Sequence, residues 1–512
     1  MLPFNLHTIK ENKNSLANGF LLSYFKYPDR KAIFINERYY TYKELMDIVY
    51  VCYLKIAKEE IKFDQIGIYC SDNIHTYASI LAISLYGAAY VPLNPKFPIL
   101  KNKQIVDDTN LELILYSEQG EYLNYFSKKK LIDVTKNEYA FYDNSILLNL
   151  KKTNQPLAYI LFTSGSSGQP KGVPVPITCV NHYFEVILKS GIYEFNENDR
   201  FIQMYDLTFD ASVRWVFIPL IVGGCVYIVP KKGIHYINMM NLLSIKSITV
   251  AMMVPSVLHY LKSYFDEISL PALRYSFFGG EALPSDLVLS WAKCVPNAII
   301  ENFYGPTEAT MSCTRYRWDK INSNTESENG IVPIGILNPG MGAIVLNEFL
   351  KPVEKNEAGE LCVYGPQVIN NYLNNTHSDS FIKIKNKNGE SVNCYKTGDI
   401  VRINNNNNLI FLGRKDNQVK VDGFRVELQE IENCVRNLTN GLLNVAYVNE
   451  NKNGTKSIYV VIENYSNETA DLLNSIKSML PAYMVPKKII SIAKIPLNQN
   501  GKVDRLTLTK IW

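Results

Sequence analysis

The segment Leu161-Phe-Thr-Ser-Gly-Ser-Ser-Gly-Gln-Pro-Lys-Gly172 has the chemistry of an anion cradle. An apolar strand, Leu157 to Phe162, runs straight into a loop of hydroxyls, glycines and one lysine. Gly165, Gly168 and Gly172 let backbone N–H groups turn toward a phosphate, while Thr163, Ser164, Ser166 and Ser167 add donors and Lys171 adds a charge. The GxxxxGK[ST] spacing of a Walker loop is absent, so this is a different phosphate-binding design. Alone, such a loop also fits a plain mobile connection.

These residues need a scaffold, and the sequence describes one. The first 150 residues alternate helical patterns (Tyr42 to Ile56, Tyr77 to Gly87) with a strand-like run (Gln65 to Cys70). The alternation continues through Ile248 to Val254, Ser256 to Phe265 and Leu273 to Phe278, which predicts parallel sheets covered on both faces. Trp215 to Pro230 is the most apolar stretch. Pro219 and Gly223-Gly224 break it below the roughly 18–20 residues of a membrane span, so it reads as a buried helix feeding a buried strand. After Gly330, short β-rich runs (Ala343 to Leu346, Gly359 to Val363, Leu409 to Leu412) predict a small all-β section. The asparagines Asn404 to Asn408 read as a hairpin loop. Beyond about Arg414 the pattern is mixed again.

Composition narrows the function classes. The chain has 512 residues, 47% of them hydrophobic, with 53 basic residues against 49 acidic. A net charge of +4 gives no general electrostatic case for nucleic acid or an anionic membrane as partner. Nine cysteines without a CxxC pair read as reduced thiols of a cytoplasmic protein. Met1 to Phe20 lacks the apolar core of a secretory signal.

Further motifs follow the glycine-rich loop in order. They are Asn302-Phe-Tyr-Gly-Pro-Thr-Glu308, Gly359-Glu-Leu361, Tyr395-Lys-Thr-Gly-Asp399, the run from Gly413-Arg-Lys-Asp416 to Gly423-Phe-Arg-Val-Glu427, Leu480-Pro-Ala-Tyr-Met-Val-Pro486 and Asn500-Gly-Lys502. Tyr40-Thr-Tyr-Lys-Glu-Leu45 and Gly87-Ala-Ala-Tyr-Val-Pro-Leu93 precede it. Together they resemble the adenylate-forming superfamily, which includes non-ribosomal peptide synthetase adenylation domains, acyl-CoA synthetases and luciferases. The resemblance covers nearly the whole chain. It implies an α/β protein with a large N-terminal domain, 1–413, of two layered α/β subdomains plus a small β-barrel. A small mobile C-terminal α+β domain, 414–512, would hinge near Asp416.

The resemblance also implies roles. ATP would be held by the glycine-rich loop and by Thr307 at the α-phosphate. Tyr304 would stack on adenine, with Gly280, Glu281 and Asn302 at its edge. Asp399 would bind the ribose hydroxyls with support from Arg414, and Glu308 would help hold Mg²⁺, which prefers oxygen ligands. Lys502 would be the catalytic residue, because a carboxylate attacking a phosphate brings anion to anion and a cation bridging both relieves the charge. Rotation of the C-terminal domain would then remove Lys502, bring in the face from Lys420 to Arg425, and set Gly423 beside the tunnel of a pantetheine thiol.

In Phe209-Asp-Ala-Ser-Val213, Asp210 implies an amino acid substrate, its carboxylate pairing with the ammonium; an Asp capping the next helix is the plainer alternative. By motif alignment the remaining pocket residues are Ala211, Arg214, Met252, Phe277, Gly279, Phe303, Met311 and Ser312. Arg214 either reaches inward, which would call for an anionic partner, or turns out to solvent. The implied activity is ATP-dependent adenylation of an amino acid followed by transfer to the thiol of a separate carrier protein, with no carrier domain following Arg505. A D-alanine–carrier protein ligase is an alternative, although Gly279 stands where that branch has Cys and would enlarge the site. An acyl- or aryl-CoA ligase is another. A non-catalytic nucleotide-binding relic would show erosion at Lys171, Glu308, Asp399 or Lys502, and none is eroded.

Overall fold

Strands with no polar face hold the centre of the molecule. Val250–Met253 and Tyr275–Gly279 are buried at every position, as parallel strands covered by helices must be. They belong to a nine-stranded sheet in a computed structural model that describes residues 15–59, 61–136, 156–164, 170–375, 378–386, 388–416, 418–451, 454–496 and 505–509. Its parallel part sets Ile299–Tyr304, Tyr275–Gly279, Val250–Met253, Arg200–Gln203, Cys225–Ile228 and Lys31–Ile35 side by side. A six-stranded sheet contains Gln65–Tyr69, Ala89–Leu93 and Leu157–Thr163, the last paired antiparallel with Lys171–Pro176. One continuous core, including Tyr42, Tyr159, Trp215 and Phe277, joins the two sheets.

The helices between them are set by local chemistry. Tyr42–Ala57 starts with a reciprocal cap: Thr41 Oγ1 accepts from Glu44 N (3.1 Å) and Glu44 Oε2 accepts from Thr41 N (2.8 Å). Asp210–Val222 is buried on almost every side, as its apolar sequence requires. Pro219 is accommodated inside it: the helix continues to Val222, ends at Gly223 in left-handed geometry (φ 82°) and feeds the buried strand Cys225–Ile228, as the sequence predicts. The neighbouring helix Asn18–Lys26 supports that last turn, Ser23 Oγ donating to the Ile221 carbonyl (2.9 Å).

The all-β section is a five-stranded antiparallel sheet of Gly342–Leu346, Gly359–Tyr364, Phe381–Lys385, Ser391–Ile403 and Leu409–Arg414. Among the described residues its outer strands do not pair with one another. The asparagine tract is its hairpin loop, with Asn407 at φ 62° and the Asn404 side chain accepting from the N–H groups of Asn406 and Asn408. After Arg414 come the hairpin Gln418–Val421/Phe424–Glu427, the helix Leu428–Leu438 and a three-stranded sheet backed by Thr469–Met479. This part has its own core, built on Val426, Ile431, Val460 and Ile476. No described helix is long and apolar enough to cross a membrane.

Thr41→Ala removes one half of the reciprocal cap and should lower stability by about 1 kcal/mol. Urea unfolding followed by tryptophan fluorescence measures it, and an unchanged midpoint would show that the cap is idle.

Candidate active site

The C-terminal ends of the parallel strands converge on a cavity of about 520 Å³, where open α/β sheets bind their ligands. Thr163 ends one strand and pairs directly with Lys171 at the start of the next. Gly280 and Glu281 follow Tyr275–Gly279, and Asn302 and Tyr304 close Ile299–Tyr304. All of these except Lys171 line the cavity, together with Ser164, Thr307, Asp399 and Arg414. Two buried wall atoms, Thr163 Oγ1 and Asn302 Oδ1, have no hydrogen-bond partner among the described residues, and such atoms ask for a polar ligand. Gly165, Ser166, Ser167, Gly168 and Lys502 lie outside the described residues.

Asp399 is the hub of one wall. Its Oδ2 accepts from the Tyr304 hydroxyl (2.5 Å) and its Oδ1 from Arg414 Nη1 (2.8 Å). Asp416 grips the same guanidinium through Nε (2.9 Å) and Nη2 (2.6 Å). Burial and the Asp399 charge push the Tyr304 phenol well above its ordinary range, so it stays a neutral donor with a fixed ring.

Glu308 is the hub of a second network, which reaches the cavity through Arg425. Its side chain is fully buried, and it accepts from the Tyr372 hydroxyl (2.6 Å) and from Arg425 Nη1 (3.0 Å to Oε2). Burial alone would raise its carboxyl, but Arg425 and the Tyr372 hydrogen bond outweigh it and hold the group below the usual glutamate value. Lys171, 8% exposed, lies over the Tyr372 ring at 5.6 Å. Burial and the Arg425 charge draw its ammonium below the ordinary lysine value.

Arg425 belongs to the C-terminal hairpin, which packs onto the cavity. Ser164 Oγ donates to the Arg425 carbonyl (2.9 Å), and the Gly423 N–H donates to Glu281 Oε1 (2.6 Å) while Ser256 N–H donates to Oε2 (2.8 Å). Glu281 therefore spends both oxygens on backbone N–H groups. Gly423 sits at φ 82°, and a Cβ there would fall 2.6 Å from Val254 Cγ1, so both conformation and space require glycine. Phe424 stacks on Tyr483 (4.2 Å) and meets Phe209 edge-on (5.0 Å). A buried ion pair, Lys101–Glu430 (3.5 Å), ties the same faces together. Lys420 also reaches the cavity, its ammonium drawn down by burial and Arg425 against the pull of Asp399, Asp210 and Glu281.

Of the expected substrate residues, Asp210, Ala211, Met252, Gly279, Phe303 and Met311 line the cavity. Phe277, Ser312 and Arg214 stand behind them. Asp210 opens its helix without capping it; its carboxylate accepts instead from Met311 N (3.3 Å). Burial raises that carboxyl above the ordinary aspartate value. Gly279 does not enlarge the site as expected, because a Cβ there would meet Met252 Cε at 2.7 Å: the methionine already fills the space. Arg214 does not turn to solvent, being 2% exposed. Asn94 donates to Asp206 Oδ2 (2.9 Å), a contact that a second carboxylate at that position would spoil. Arg425, Tyr372 and the Phe209–Phe424–Tyr483 ring cluster are the residues sequence reading passed over. A motif carboxylate inside an apolar segment signals that some cation must face it, but not which residue supplies it.

Residues 23–373 match the AMP-binding enzyme family. The chain belongs to this family, within the adenylate-forming superfamily. It is 30% identical to zwittermicin A synthase ZmaJ of Bacillus cereus over 94% of this chain and 92% of that protein. It is also 30% identical to one of the linear gramicidin synthase proteins of Brevibacillus parabrevis, over 94% of this chain but only 9% of that much longer protein. Among solved structures it resembles the Vibrio cholerae adenylation domain AlmE in complex with glycyl-adenosine-5'-phosphate. There the TM-score is 0.84 and the identity 27%, with 97% of each chain covered.

Arg425→Met would leave the buried Glu308 carboxylate without its cation, a loss of about 3–5 kcal/mol to the docked hairpin. Hydrogen exchange at the Gly423 amide, held by Glu281, should accelerate by roughly 10² or more. Unchanged exchange would mean that the pair does not hold the hairpin.

Proposed function

We propose that the chain adenylates the carboxyl group of an amino acid with ATP and passes the acyl group to the pantetheine thiol of a carrier protein. The observation that carries this reading is a single chamber bordered by Asp210, by the Tyr304–Asp399 wall, by Thr163 and by Gly423. An ammonium site, a nucleoside site, a phosphate site and a glycine-lined approach thus open onto the same space.

In the first half-reaction a substrate carboxylate oxygen bonds to the α-phosphorus, the bond from that phosphorus to the bridging oxygen breaks, and pyrophosphate leaves. Asp210 holds the ammonium and so aims the carboxylate. Asn302 Oδ1 offers an acceptor to the adenine amino group, Asp399 accepts from the ribose, and Thr163 Oγ1 and Lys171 face the phosphates. Lys502 bridges the two anions. Magnesium, held by Glu308 and the nucleotide's own oxygens, would neutralise phosphate charge; one carboxylate plus phosphates is an ordinary ligand set for that ion. In the second half-reaction the thiol sulfur bonds to the acyl carbon and AMP leaves.

The docked hairpin supports assigning this conformation to the second step, with the C-terminal domain, 414–512, turning about Asp416 between steps. Arg425 occupies Glu308 oxygens that a cation would need, so the hairpin and the cation compete for the same atoms. Asp210 disfavours a ligase for simple fatty or aryl acids, which lack the ammonium it would pair with.

Two variants separate the steps. Lys502→Ala should reduce amino-acid-dependent ATP–pyrophosphate exchange by about 10²–10³-fold, the loss of one preorganised charge. Gly423→Val should leave exchange near native and slow loading of a carrier thiol, measured by mass spectrometry of the carrier. Equal loss in both assays for both variants would contradict the division of labour. Asp210→Asn should raise the amino acid KM about 10²-fold. Because its carboxyl binds ammonium only when ionised and is raised by burial, the native KM should climb as pH falls, beginning above the range of an ordinary aspartate. A flat pH profile of KM would remove Asp210 from that role.

A further inference from the structure

Arg214 is among the largest fully buried side chains of the molecule. Its guanidinium spends Nη2 on Ser312 Oγ (2.5 Å) and Nη1 on the thioether of Met252 (3.2 Å), and its buried Nε has no partner among the described residues. Aromatic faces complete its surroundings, with Phe303 at 4.4 Å, Tyr183 at 4.9 Å and Trp215 at 5.6 Å. Among the described residues it forms no ion pair, whereas Arg425, buried nearby, has Glu308. A buried cation satisfied by a hydroxyl and a sulfur is an expensive arrangement unless an anion completes it.

The position of Arg214 says where that anion would come from. Arg214 lies one helical turn after Asp210, so the two project from the same face of Asp210–Val222. Asp210 borders the cavity, as do Met252 and Phe303, two of the residues that the guanidinium touches. Met252 is an unbranched, adaptable side chain, and its methyl rests where Gly279 lacks a Cβ. Tyr205, which also lines the cavity, adds a buried hydroxyl without a partner among the described residues.

Charge then constrains the ligand. Empty, this end of the cavity holds one carboxylate, Asp210, which faces the Lys420 ammonium across the cavity and the Arg214 guanidinium behind its wall. An amino acid with a neutral side chain brings an ammonium to Asp210 and leaves Arg214 as an uncompensated buried cation. A substrate with a second carboxylate matches both charges at once.

We propose that the activated substrate is a dicarboxylic amino acid whose side-chain carboxylate is received by Arg214 at the Met252–Phe303 wall. This rests on the amino acid reading above and makes Arg214 the residue that sets side-chain preference.

The test is ATP–pyrophosphate exchange by the full chain with aspartate, glutamate and 2-aminoadipate of both configurations, set against asparagine, glutamine, alanine, phenylalanine and lysine. A dicarboxylic amino acid should exceed its own amide by roughly 10²-fold or more, since a site built for a polar group rejects the analogue lacking it. Arg214→Met should abolish that ratio, and Arg214→Lys should retain part of it. Native preference for a neutral or basic amino acid would overturn the proposal and leave adenylation standing, as would acid preference surviving in Arg214→Met. The native acid-to-amide ratio decides by itself if the methionine variant does not fold. Absence of exchange with every amino acid tried would instead remove the adenylation reading, and this proposal with it.

Discussion

Glu308 is a carboxylate with no exposure to water, and a charge in that position persists only while a cation or strong donors face it. Here Tyr372 and Arg425 supply both. Arg425 reaches it from a hairpin more than a hundred residues further along the chain, so satisfying one buried charge fixes how the last part of the chain sits on the rest. The other contacts of the hairpin add shape and register: Gly423 fits against Val254 where no side chain could, and the Phe209–Phe424–Tyr483 rings fill the adjacent gap. On the magnesium assignment proposed above, the cation would need the same oxygens, and its binding would be coupled to the position of the C-terminal residues.

The walls of the cavity follow from the same economy of buried polar groups. Asp399 is held between the Tyr304 phenol and Arg414, and Arg414 between Asp399 and Asp416, leaving a fixed ring and a fixed carboxylate edge. Among the described residues Thr163 Oγ1 and Asn302 Oδ1 at the cavity wall and Arg214 Nε behind it have no hydrogen-bond partner, as do buried atoms away from the cavity such as Trp318 Nε1 and Asn444 Oδ1. Asn94, by contrast, is satisfied by Asp206.

Much of this was legible in the residues. Periodicity located the central strands and most helices, because parallel strands need continuous apolar runs and amphipathic helices need their spacing. Motif order singled out Thr163, Asn302, Tyr304, Asp399 and Asp210, and these residues meet at one cavity. The apolar stretch around Pro219 forms the buried helix and buried strand expected of it, with packing against Asn18–Lys26 supporting the helix's last turn. Gly279 misled because the space a glycine leaves belongs to whichever neighbour reaches it, here Met252. Neither Arg425 with Glu308 nor Arg214 behind Met252 could be read from spacing, since both depend on long-range packing that brings distant segments together.

The direct measurement is the distance between spin labels at two exposed positions, Ile245 and Leu443, each replaced by cysteine in an otherwise native chain whose described cysteines are all buried. In nucleotide-free protein the account predicts one narrow distance distribution that broadens when Glu308→Gln is added. An equally narrow, unshifted distribution in the Glu308→Gln protein would contradict it.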